Sequence, residues 1–261
     1  MSGKEIRLAK LFSRGRPVVV ALDHGGYMGP IKGIENLPET INLYKKADAI
    51  LLNPNMAKYC GKIFSSWDSP LMIIRINWGS HYCEGFKKGY QRRMATARRA
   101  VSLGADMIMV SLLLGGSEEA NTENVTLLGE IFEETESLGV PLVGEYIPLE
   151  GIDRFQGKGS DVELGIRMCA EIGSDLIKTV YIPGFSNLVK SVPIPVLALG
   201  GARMDTDLEA LEYAKKIIQE GAAGVVYGRN AFQAKNPKNF LDALIKVVKE
   251  EREPEEVVDV G

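Results

Sequence analysis

Eight short apolar runs, separated by longer segments of helical periodicity, constrain this chain more than any other feature. They are Val18-Val19-Val20-Ala21-Leu22, Ala49-Ile50-Leu51-Leu52, Leu71-Met72-Ile73-Ile74, Met107-Ile108-Met109-Val110, Pro141-Leu142-Val143, Leu176-Ile177-Lys178-Thr179-Val180, Val196-Leu197-Ala198-Leu199 and Gly224-Val225-Val226-Tyr227. Their residues are apolar in succession rather than in alternation. That suits strands buried on both faces, as in a parallel sheet covered by helices. The spacing predicts helices over Glu118 to Leu138, Asp161 to Ile172, Asp207 to Glu220 and Asn239 to Glu251. Several helical segments stop at a glycine before the next run, at Gly104-Ala105-Asp106, Gly173-Ser174-Asp175 and Gly221-Ala222-Ala223, and Lys46-Ala47-Asp48 resembles these without the glycine. Glycine after a helix and before a strand is the expected chemistry of such a connection.

Eight such units in one uninterrupted chain of 261 residues predict a single α/β domain, a TIM (β/α)8 barrel over 1–261. An open doubly wound sheet is the competing architecture. Residues 1–16 are expected to cap the barrel floor or pack on a helix. The acidic stretch 252–261 is expected to be loose or an arm between subunits.

Composition narrows the function classes. With 45% hydrophobic and 25% charged residues the chain is an ordinary globular one, which excludes disorder, collagen and disulfide scaffolds. A net charge of −3, from 31 basic and 34 acidic residues, leaves no nucleic-acid footprint. The one basic cluster, from Gln91-Arg92-Arg93 to Arg98-Arg99, is expected on a helix face. The three cysteines, Cys60, Cys83 and Cys169, show no CxxC spacing. They point to a reducing cytoplasm and away from structural zinc. Two histidines, His24 and His81, make a poor metal-ligand set. No signal peptide is expected from the N-terminal residues, and no apolar run reaches the ~18 residues of a membrane span.

Lys178 is the only lysine inside one of the apolar runs. Alternation puts Leu176, Lys178 and Val180 on one strand face. Burial of an ammonium favours the neutral amine, which adds to carbonyls and forms Schiff bases. The alternative is a strand-end lysine snorkelling to solvent. Asp23-His24-Gly25-Gly26 follows the first run, placing a carboxylate at a strand end or in a plain turn. Glu145-Tyr146 closes the fifth strand. There the Tyr146 phenol either carries protons or packs on a helix, and Glu145 is expected on the opposite face. Gly200-Gly201-Ala202-Arg203 and Gly228-Arg229-Asn230 follow strands seven and eight, where barrels of this kind hold phosphate on backbone N–H groups. Ordinary turns with surface arginines are the alternative.

Together, Asp23-His24-Gly25, Ile177-Lys178-Thr179, Gly200-Gly201 with Asp205-Thr206-Asp207, and Gly224 through Gln233 resemble the archaeal-type class I fructose-bisphosphate aldolases. That family also holds the aminodideoxyheptulosonate synthases. The resemblance covers Val18 to Gln233. It implies a Schiff-base lyase with no metal and no cofactor, cleaving or forming a carbon–carbon bond in a phosphorylated ketose, with fructose 1,6-bisphosphate the expected substrate. Lys178 would form the imine, Tyr146 would move the proton and Asp23 would orient hydroxyls. His24, Gly200, Gly201, Arg203, Gly228 and Arg229 would bind the sugar phosphate. A homo-oligomer, pentamer or decamer, is implied as well, with no membrane or nucleic-acid partner.

This chain departs from the family pattern in three places. The family follows its tyrosine directly with Pro-Arg-Gly, whereas here Tyr146-Ile147-Pro148-Leu149 has an extra residue before the proline and no arginine. Asn53-Pro54-Asn55 stands where the family has His-Lys-Gly. Ile76-Asn77-Trp78-Gly79-Ser80 replaces a Ser/Thr-rich stretch. A transaldolase-like synthase, a phosphate-binding isomerase and a catalytically dead sugar-phosphate sensor are the other functions these residues allow.

Overall fold

The apolar runs form strands β1 (Val18–Ala21), β2 (Ala49–Leu52), β3 (Leu71–Arg75), β4 (Met107–Leu112), β5 (Leu142–Tyr146), β6 (Leu176–Thr179), β7 (Val196–Leu199) and β8 (Gly224–Tyr227) in a computed structural model of the chain. The structure describes residues 2–79, 89–149 and 159–258. Each strand pairs in parallel with its neighbour in sequence, and β8 closes on β1 through Val18↔Val225 and Val20↔Tyr227. This closure decides against the open sheet: the fold is a TIM barrel. Every strand residue except Leu71 is buried, because barrel interior and helical layer cover the two faces. That is why the runs do not alternate.

The small-residue stops that precede the strands have a specific task. Asp48, Asp106 and Asp175 each stand immediately before a strand. Through Oδ2 they accept the backbone N–H of Val18, Met72 and Leu142, each at 2.8 Å. Their own N–H groups donate to the carbonyls of the same three residues, at 3.0, 2.8 and 2.9 Å. Each aspartate thus pins the start of the preceding strand by accepting an N–H that would otherwise lack a partner. The fourth stop ends in Ala223, which makes only the backbone bond to Val196 O, at 2.9 Å.

The predicted helices appear at Glu118–Leu138, Gly159–Ile172, Asp207–Gln219 and Pro237–Glu250. The helix Gly3–Phe12 is started by a capping box between Ser2 and Glu5. Its Lys4 reaches Asp175 at 3.0 Å, and Arg7 donates to Gly139 O at 3.1 Å. Both contacts lie at the strand-entry end of the barrel, on its floor.

Two expectations need correction. The stretch from Arg252 is docked rather than loose as far as Val258. Pro254 is buried, and the turn Pro254–Val257 packs on helices Asp207–Gln219 and Pro237–Glu250, with Glu253 ion-paired to Lys215. The basic cluster is split between two elements. Gln91–Arg93 is a strand, antiparallel to Asn77–Gly79 in a small ribbon outside the barrel, and only Arg98 and Arg99 lie on a helix, Ala97–Ser102. Buried bonds hold the ribbon, Asn77 Nδ2 to Gln91 Oε1 at 2.9 Å and Gln91 N to Asn124 Oδ1 at 2.8 Å, while Arg92 and Arg93 pair with Glu123 at 2.5 Å and Glu130 at 3.0 Å on the long helix. No helix among the described residues is long and apolar enough to cross a membrane.

The aspartate pins are testable. Asp106→Ala leaves a buried N–H unpaired and should lower the unfolding free energy by roughly 1–3 kcal/mol. A urea titration reads this as a lower midpoint at an unchanged slope. A midpoint equal to the wild type would show that the carboxylate contributes nothing.

Candidate active site

Parallel register decides which side chains share the barrel interior. Glu145 pairs with both Ser111 and Lys178, so these three residues of β4, β5 and β6 form one inward layer. Arg75 ends β3, and Asp23 lies two residues past β1. All five residues are at most 4% exposed. Arg75 is their hub: Nε donates to Asp23 Oδ2 at 2.5 Å, Nη2 to Glu145 Oε2 at 2.7 Å, and Nη1 to Ser111 Oγ. Ser111 Oγ donates onward to Glu145 Oε2, and Lys178 Nζ donates to Glu145 Oε1. Two cations and two carboxylates thus close a buried chain of no net charge.

The electrostatics follow from that arrangement. Burial works to raise the Glu145 carboxyl, yet Arg75 and Lys178 beside it hold it well below the usual carboxylate range. Asp23 is depressed in the same way, against its burial, by Arg75 and Lys178. Both acids are therefore anionic at neutral pH. Lys178 does not meet hydrocarbon alone, as the sequence suggested, but rests on a carboxylate. Nor does it snorkel, being buried.

Tyr146 is the main correction among the predicted site residues. It pairs with Thr179, not Lys178, and therefore faces outward. Its ring fills the space over Gly165 in helix Gly159–Ile172, where a Cβ would come within 2.2 Å of Tyr146 Cδ2. Burial, with Asp161 and Cys169 adding to it, pushes the phenol up to about 12. The cause is the extra residue before Pro148. One residue of slip turns every side chain to the other face, and here Ile147 directly precedes the proline. Glu145, expected to face away, faces in.

Asp23 and His24 lie at the mouth. Asn53, just past β2, holds the Asp23 carbonyl with Nδ2 at 2.6 Å, and the Trp78 indole donates to Gly26 O at 3.2 Å. Two of the departures from the family pattern therefore support the loop that carries Asp23. Asp23 Oδ1 and His24 Nδ1 are 3.6 Å apart, and neither has a hydrogen-bond partner among the described residues. The His24 ring packs edge-on to Phe232, its centroid 5.1 Å away. Gly228 leaves room for it, since a Cβ there would lie 2.5 Å from His24 Cε1. Burial lowers the His24 pKa to about 4, with Lys178, Arg229 and Arg75 adding to the effect and Asp23 opposing it.

The two glycine turns are tied together by Asn230. Its Nδ2 donates to Gly200 O at 2.8 Å and Ala202 O at 2.7 Å, and its Oδ1 accepts Met204 N at 2.9 Å. Gly201 has φ +76°, a backbone that favours glycine. The N–H groups of Gly201 and Ala202 donate to nothing among the described residues. Arg203 is turned to Asp207, at 3.0 Å, and to Asn230 Oδ1, at 3.2 Å. Arg229 opens the short helix Arg229–Phe232 close enough to act electrostatically on His24. His81 and Cys83 lie outside the described residues. Among the described residues no three His, Cys, Asp or Glu side chains group to hold a metal.

Arg75, Ser111 and the inward Glu145 were missed from sequence. A strand-end charge after Leu71-Met72-Ile73-Ile74 was a signal of the same kind as Lys178, and could have found Arg75.

The model of the DeoC/LacD family of aldolases matches residues 17–234, and the chain belongs to that family. It is 34% identical over 261 residues to an uncharacterized aldolase of Saccharolobus solfataricus, with 96% of each chain covered. It is 29% identical over 260 residues to 2-amino-3,7-dideoxy-D-threo-hept-6-ulosonate synthase 1 of Archaeoglobus fulgidus, covering 99% of this chain and 96% of that one. The crystal structure of an archaeal fructose 1,6-bisphosphate aldolase is similar at TM-score 0.81 and 25% identity, covering 94% of this chain and 98% of that one. A second archaeal structure of that enzyme, with its catalytic Lys covalently bound to the carbinolamine intermediate of the substrate, is similar at TM-score 0.80, 25% identity and the same coverage of 94% and 98%.

The depressed His24 predicts a pH dependence of stability. An unfolded histidine titrates near 6.5 and the folded one near 4, so between these values the unfolded chain binds more protons. Stability from this group is full above pH 6.5 and is lost as the pH falls toward 4. The loss is about 3 kcal/mol at most, given a side chain 16% exposed. His24→Gln should flatten the unfolding free energy over that window. An unchanged slope would show that the histidine is not held neutral.

Proposed function

We propose that the protein is a class I aldolase that makes and breaks a carbon–carbon bond in a phosphorylated ketose through a Schiff base at Lys178. The observation that carries this is the Lys178 amine, buried at the end of β6 inside the barrel and touching Glu145 Oε1. A strand-end position in a TIM barrel puts Nζ at the catalytic face. The amine adds to the ketose carbonyl, and loss of water gives an iminium that draws the electrons of the breaking bond. Because the iminium is itself the electron sink, the reaction needs no metal. Asp23 Oδ1 and His24 Nδ1 lie at the mouth without hydrogen-bond partners among the described residues, and they are suited to hydroxyl groups of the sugar. A phosphate would sit on the Gly201 and Ala202 N–H groups near Arg229. Gly200 and Gly228 shape the turns, while Arg203 braces Asp207.

Fructose 1,6-bisphosphate is the substrate we favour, on the likeness to the archaeal enzyme of that name. Transfer of a three-carbon unit, as in a synthase, is the second reading. It is supported by the higher identity, 29%, to an aminodideoxyheptulosonate synthase over nearly the whole chain.

Borohydride reduction in the presence of a panel of ketose phosphates should add the sugar mass at Lys178 and abolish turnover. Lys178→Arg should be inactive, since a guanidinium does not give up its proton to attack a carbonyl. EDTA should leave activity unchanged. Labelling of another lysine with Lys178 untouched would sink the assignment.

A further inference from the structure

An amine must lose a proton before it adds to a carbonyl, and the adduct must gain and lose protons before water leaves. The phenol that the family resemblance assigned to this work is walled off behind β5. Among the described residues, the group that hydrogen-bonds to Nζ is Glu145. Resting on the imine chemistry proposed above, we infer that Glu145 is the proton-transfer catalyst of this site, working through Oε1.

The two oxygens of this carboxylate are differently employed. Oε2 accepts from Arg75 Nη2 and from Ser111 Oγ, which fixes the plane and the rotamer of the group. Oε1 accepts from Lys178 Nζ. Both residues stand in register on adjacent strands, so the donor–acceptor pair is set by the barrel backbone rather than by a loop. Proton transfer needs the reacting groups within hydrogen-bond reach, directly or through one water, and this pair meets that directly.

Each step balances on this one carboxylate. Lys178 ammonium gives a proton to Oε1, leaving a neutral amine and a neutral carboxyl group. The nitrogen lone pair bonds to the ketone carbon, the π pair moves to oxygen, and that oxygen takes the proton from Glu145. Glu145 then removes a proton from the nitrogen. It returns that proton to the hydroxyl, which leaves as water while the nitrogen lone pair forms the iminium. Glu145 is again an anion facing a cation. In cleavage it takes the proton of the hydroxyl beyond the breaking bond. The bond's electron pair forms the enamine, and the aldehyde departs. Glu145 then protonates the enamine carbon. With Asp23 and Arg75 unchanged, the buried group carries no net charge before or after each transfer, so no uncompensated charge has to be left away from water.

The test uses 2,4-pentanedione, which forms an absorbing enaminone on a reactive lysine whatever the natural substrate is. Peptide mapping locates the label. In the wild type it should fall on Lys178. Glu145→Gln should slow labelling about 10²–10⁴-fold, the usual share of a general acid–base group. Glu145→Asp keeps the charge but withdraws it from Nζ, and should recover part of that loss. Tyr146→Phe should label at the wild-type rate. A solvent deuterium isotope effect should accompany labelling of the wild type and be altered in Glu145→Gln, which a purely structural role would not do. Wild-type rates in Glu145→Gln, or a large loss in Tyr146→Phe, would overturn the assignment. If Glu145→Gln does not fold, Glu145→Asp decides, and a wild-type rate there overturns it equally. No label on Lys178 in the wild type would instead refute the imine chemistry itself.

Discussion

The Arg75 guanidinium holds the interior of this barrel together at the end where chemistry takes place. From β3 it reaches Asp23 beyond β1, Ser111 on β4 and Glu145 on β5, and through Glu145 it bears on Lys178 of β6. A buried charge is tolerated only when it is paired and hydrogen-bonded, and removing one partner from such a set costs roughly 3–5 kcal/mol. The four charges therefore stand or fall as a unit. Their planar hub also sets directions, because a guanidinium presents its donors in a fixed fork. A lysine at position 75 would supply the charge without the geometry.

The rest of the molecule keeps that unit in place and gives access to it. β1 and β3 flank β2, and Asp23 and Arg75 meet past its end inside the barrel. The register of β4, β5 and β6 aligns Ser111, Glu145 and Lys178. Outside the ring, Asn53 and Trp78 steady the loop after β1, and Asn230 ties the loops after β7 and β8 to each other. These supports are made by side chains bonding to backbone carbonyls, so they fix loop shape independently of any bound molecule. Asp23 Oδ1 and His24 Nδ1, at the mouth, have no hydrogen-bond partner among the described residues.

Much of this was legible in the sequence, and the limits have physical causes. Apolar runs in succession announce strands covered on both sides, and eight of them announce the barrel. Lys178 is conspicuous because its strand is otherwise apolar or uncharged. The buried ionic cluster is not conspicuous, because its hydrogen-bonded members lie 33 to 70 residues apart in sequence and meet only when the strands pair around the barrel. The orientation of Tyr146 is a question of register, which cross-strand pairing sets and local alternation does not. Aligning Glu145 with Lys178, in place of Tyr146, would have turned the phenol outward. The tail beyond Arg252 looked loose from its acidity, whereas Pro254 and the Glu253–Lys215 pair dock it.

The most direct measurement is a crystal structure of the wild-type enzyme reduced with borohydride in the presence of a ketose phosphate. The expected result is a covalent bond from Lys178 Nζ to the former carbonyl carbon. Glu145 Oε1 should lie within hydrogen-bond distance of that nitrogen, and Arg75 should still hold Asp23 and Glu145. An adduct on another residue, or one in which Glu145 has left the site and a phenol has taken its place at the nitrogen, would contradict it.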